Sequence, residues 1–88
     1  MKTTVNININ KQAFVIDEDA YQKLATYINN IKSRFNNEIE ANEVIEDIEA
    51  RIAELFSKKT TSLSPVVDMS MVDDVIQKLG RPEDIFME

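Results

Sequence analysis

The sequence predicts an α+β fold, an N-terminal two-stranded antiparallel β-hairpin packed on three α-helices in the order ββααα. Three observations carry this. Between Thr3 and Ile9 apolar and polar residues alternate, the period of a half-buried strand. From residue 17 onward apolar residues recur at steps of three and four, which is the helical period. At 88 residues, with 43% apolar and 30% charged side chains, the chain suits one small domain, residues 1–88, with a modest core.

The hairpin is expected over residues 3–16, with Val5, Ile7 and Ile9 on one face and Thr4, Asn6 and Asn8 on the other. A two-residue turn at Asn10-Lys11 sets Ile9 against Gln12, Ile7 against Phe14 and Val5 against Ile16. Lys is a poorer second turn residue than Gly, so a longer or bulged loop is the alternative. Asp17 is expected to cap a helix over 17–35, with Glu18 and Asp19 at the positive end of its dipole. Its apolar stripe runs Ala20, Tyr21, Leu24, Tyr27, Ile28, Ile31 and Phe35.

Asn36 and Asn37 interrupt that stripe. Asn37 has capping-box spacing to Glu40, with Asn42 as the alternative cap of a later start. The second helix, 38–58, places Ala41, Val44, Ile45, Ile48, Ile52, Leu55 and Phe56 on one stripe. Asp47 with Arg51 and Glu54 with Lys58 have i,i+4 ion-pair spacing, acid first. Thr60–Pro65 reads as a connection, and Asp68 or Ser70 caps a third helix over 69–79 whose stripe is Val72, Val75, Ile76 and Leu79. Gly80 supplies a left-handed stop, and Pro82, Glu83 and Asp84 open a short C-terminal turn over 82–87.

Composition removes most chemistries. With no Cys and no His there is no disulfide framework, no thiol nucleophile, and neither the commonest metal ligand nor the commonest general base. No catalytic residue, metal or cofactor is expected. Glu38, Glu40, Glu43, Glu46, Asp47 and Glu49 lack the glycine that a calcium loop needs, and read as a solvated helix face. Tyr21, Tyr27, Phe14, Phe35 and Phe56 read as core.

The net charge of −6 is unevenly spread: residues 35–56 hold seven acids against Arg51 alone. No segment offers a basic stripe for phosphates, so nucleic acid is not an expected partner. A helix-turn-helix over Ser70 to Phe86, the basis of the alternative reading as a small transcription regulator, carries a net negative charge that repels DNA. The longest apolar run, Ala13–Ile16, is far short of the roughly 20 residues that span a bilayer. With no secretory leader pattern, a cytoplasmic location is expected.

These exclusions leave a protein-interaction domain. The candidate partner-binding face is the acidic set Glu43, Glu46, Asp47, Glu49 and Glu54, suited to a basic protein surface. The candidate ribbon edge is Thr4, Asn6 and Asn8, through which a homodimer would form.

The runs Val5–Ile9 and Phe14–Leu24, the block Ile45–Leu55, and Val72–Ile76 followed by Leu79–Asp84 together resemble the N-terminal domain of the Bacteroidetes-type phage shock protein C family over nearly the whole chain. Relatives in that family often have Asn-Gly where this chain has Asn10-Lys11. The resemblance implies the cytoplasmic N-terminal module of a membrane-anchored, envelope-stress regulatory protein. On that reading contact with the membrane is made only through a hydrophobic segment beyond Glu88. The family supplies no catalytic residues.

Overall fold

Asn10 and Lys11 reverse the chain in two residues, both at positive φ (52° and 66°), so the turn has the backbone twist that matches paired strands. In the computed structural model, which describes residues 3–80, this turn joins β1 (Thr4–Ile9) to β2 (Gln12–Asp17). The antiparallel register pairs Val5 with Ile16, Ile7 with Phe14 and Ile9 with Gln12, as expected, with no bulge. Four helical and strand elements follow: α1 (Glu18–Lys32), α2 (Glu38–Lys59), β3 (Val66–Val67) and α3 (Met69–Leu79).

The class is α+β, but the element order is not the unbroken ββααα. Val66 and Val67 pair in parallel with Val15 and Ile16 of β2, making a three-stranded sheet in the order β1-β2-β3. Two residues after a proline are too few for any periodicity to register. A parallel partner also needs a long crossover, which α1 and α2 supply.

Helix α1 is shorter than expected. Arg34 and Phe35 donate to the carbonyls of Ile31 and Lys32, so the last turn tightens to i−3 bonds, while Phe35 still packs against the core. Asp17 does not cap α1 through its side chain. It is the last residue of β2 and is buried, and the helix start is held instead by the Glu18 amide, which donates to the Thr3 carbonyl at 2.8 Å. Tyr21, expected in the core, is 40% exposed, because it stands at the margin of a stripe whose buried members are Ala20, Leu24, Tyr27 and Ile31.

Asn37 caps α2, its Oδ1 accepting from the Ile39 and Glu40 amides. Asp68 caps α3, accepting from Met71 N at 3.0 Å, and Ser70 donates to the same carboxylate. Gly80 stops α3 at φ 95° and ψ 162°, an extended glycine conformation and not the left-handed helical one. The expected turn over 82–87 lies outside the described residues.

The core forms where the inner sheet face meets the helices. Ile16, Leu24, Ile31, Ile52, Phe56, Val67, Val72 and Val75 are fully buried, each contributing about 1.5–3 kcal/mol of apolar transfer. Phe14 and Phe56 meet edge to face, with ring centroids 5.6 Å apart.

Candidate functional site

Helix α2 turns about 100° per residue, which puts Glu43, Glu46, Asp47 and Glu54 within one arc of about 100° opposite Ile45, Ile48 and Ile52. All four acids are exposed. Ile39, 70% exposed, lies on the same arc one turn before Glu43, at the N-terminal end of the acidic row. Glu49 does not join them: about 60° beyond Glu46, it is half-buried between the acidic arc and the core stripe. The five-residue acidic face expected from sequence is therefore a four-residue face with Glu49 at its margin.

Of the two expected i,i+4 pairs, Glu54 and Lys58 close to 3.2 Å with both side chains well exposed, so the pair adds at most about 1 kcal/mol. Asp47 and Arg51 form no ion pair among the described residues. The acidic face thus keeps most of its charge free for an external cation.

Other ion pairs tie α3 to α1 and α2. Lys23 of α1 bonds Asp73, and Lys59 of α2 bonds Asp74, which also lies 3.4 Å from Lys78. The hydrogen bond from Lys59, together with Lys78, holds the Asp74 carboxyl below its ordinary value of 3.8. These contacts serve to position α3; they leave the α2 face untouched.

Thr4, Asn6 and Asn8 are exposed on the outer face of the sheet, as expected of a ribbon edge. The other side of the hairpin is covered, because β3 pairs with β2 at Val15 and Ile16. Among the described residues β1 alone presents a long open edge. Beside it runs a groove of about 470 Å³ between β1 and α1. Ile7, Ile9, Leu24, Ala25 and Ile28 line it, with Tyr21 and Glu49 also on the lining.

Helical periodicity does not reveal this groove, since it places Tyr21 and Ile28 in the core and Glu49 on the acidic face. The available signal was β1 itself, six residues without a charge or a proline.

Among the described residues no cluster of three or more acidic, His or Cys side chains is arranged to hold a metal ion, and no helix is long and apolar enough to cross a membrane. No protein-family model matches the chain, and neither the curated proteins nor the solved structures contain a match to it.

Proposed function

We propose that this chain is a non-catalytic protein-interaction domain, the cytoplasmic N-terminal module of a membrane-anchored envelope-stress regulator. The observation that carries the interaction reading is the exposed face of α2, where Glu43, Glu46, Asp47 and Glu54 form an acidic row with the exposed Ile39 at its N-terminal end. A rigid helix presenting a row of like charge that ends on one exposed apolar side chain suits a basic protein surface with an apolar spot at one end. The similarity of the Ile45–Leu55 and Val72–Ile76 blocks to the phage shock protein C family supplies the cellular setting.

Attraction of this kind is screened by salt. The test is affinity capture from an extract of the source cells with the wild-type chain and with a triple variant, Glu43→Lys, Asp47→Lys and Glu54→Lys. Because all three sites are solvent-exposed, the variant still folds, its thermal midpoint lowered only by what the exposed Glu54–Lys58 pair contributes. A partner captured by the wild type, released by salt and lost with the variant is the expected result; equal capture by both chains overturns the acidic-face reading. The anchoring part predicts an apolar stretch of about 20 residues after Glu88 in the full reading frame. A frame without one overturns that part.

A further inference from the structure

We propose that the open edge of β1, with the groove beside it, is a binding site for an extended peptide strand that alternates apolar side chains and carries a lysine or arginine. This rests on the reading of the chain as an interaction domain, but not on its acidic face.

The backbone makes the first part of the case. With a two-residue turn, Ile9 and Gln12 form a hydrogen-bonded pair, and the antiparallel alternation then aims the N–H and C=O groups of Asn8, Asn6 and Thr4 away from β2. The backbone groups of Asn6 and Asn8 have no partner among the described residues. A row of free donors and acceptors at strand spacing is matched by one ligand geometry, another extended backbone.

Edge protection supplies the second observation. Chains normally blunt an open edge with charge, proline, a bulge or brevity. The opposite edge of this sheet is blunted: β3 has two residues and follows Pro65. By contrast β1 runs six residues in unbroken register with no charge and no proline.

The groove gives the side-chain preference. In a strand paired to β1, every second side chain falls on the sheet face that Ile7 and Ile9 occupy, which is the groove side. There it meets Ala25, Ile28 and the exposed ring of Tyr21, with Asn29 also on the lining, a mostly apolar surface that favours apolar residues. Glu49 is the acid on the groove lining and is half-buried. Neither it nor Lys11, which shares a neighbouring concavity with Glu46 and Glu49, forms an ion pair among the described residues. Its charge selects the lysine or arginine. Two copies of this chain joined edge to edge would each bring a charge of −6 and a Glu49 carboxylate, so the occupant is a strand of another protein.

The probe is a displayed library of random linear peptides of about eight residues, enough to pair the length of β1. Recovered peptides are expected to alternate apolar residues around a lysine or arginine, and to slow amide exchange at Asn6 and Asn8. Ala25→Gln, a good helix former that fills the groove, should weaken them at least about tenfold at an unchanged thermal midpoint. Glu49→Gln should abolish the preference for a cationic residue while the protection of Asn6 and Asn8 persists. Recovery of no peptide by the folded chain, or of peptides that protect neither amide, overturns the proposal. Peptides lost with the α2 charge reversal but indifferent to Ala25→Gln also overturn it, and leave the acidic-face reading standing. Protection of the same amides by concentration-dependent dimerisation, without peptide, overturns it in favour of a second copy.

Discussion

At Gly80 the backbone takes φ 95° and ψ 162°, a region open essentially to glycine alone, and its carbonyl accepts a hydrogen bond from the Tyr27 hydroxyl at 2.6 Å. Tyr27 is buried in the middle of α1, so this bond pins the end of α3 to the side of another helix. Burial also pushes the phenol above its ordinary value of 10.0, because the charged form loses its water. The folded chain therefore holds this proton more tightly than the unfolded chain. The contribution of Tyr27 is fully present below 10.0 and is lost as pH rises through the folded value. Tyr27→Phe is expected to lower stability by about 1 kcal/mol at neutral pH, with the gap to wild type narrowing above pH 10.0. Urea unfolding of both chains at the two pH values checks it; a gap that is constant with pH would remove the titrating role. The glycine stop is legible in the sequence because a helix end is a local event. Its bond to Tyr27 is not, since no short-range pattern links residues so far apart.

At the scale of an element, the hairpin shows how turn chemistry and strand period agree. The alternation of Thr3–Ile9 and the two-residue turn require the same register, and the observed pairing of Ile7 with Phe14 is that register. Lys11 nonetheless sits at φ 66°, where a Cβ crowds the backbone. Lys11→Gly should remove that crowding while adding glycine's larger entropy loss, for a net gain of about 0.5–1 kcal/mol. Thermal unfolding reads the shift, and a lower midpoint would mean that the lysine side chain contributes contacts that outweigh its backbone cost. The caps divide in the same way. Asn37 and Asp68 are readable because Asx side chains reach amides two or three residues on. Asp17 is not, because β2 runs directly into α1 and leaves it buried at the end of the paired strand.

For the whole molecule, the decisive addition is β3. Val67 is completely buried and Val66 only half so, although they are neighbours with the same side chain, because alternate residues of a strand face opposite sides of a sheet. Val67→Ala is expected to destabilise by about 2 kcal/mol and Val66→Ala by less than about 1 kcal/mol, compared by denaturant titration. Equal losses would contradict the pairing of Val67 with Ile16. The candidate sites divide along the same line. The exposed acids of α2 were legible because helical spacing alone puts Glu43, Glu46, Asp47 and Glu54 on one face. The displaced Glu49 and the groove beside β1 were not, since both depend on which element packs next to which. By itself the sequence determined the periods, the caps of α2 and α3, the hairpin register and the sign of the surface charge, the first three set by interactions within about four residues or across one turn. Only the tertiary structure decided that Val66–Val67 closes one edge of the sheet and leaves the other open, because two residues carry no period and gain strand geometry only from a partner that the intervening helices bring alongside.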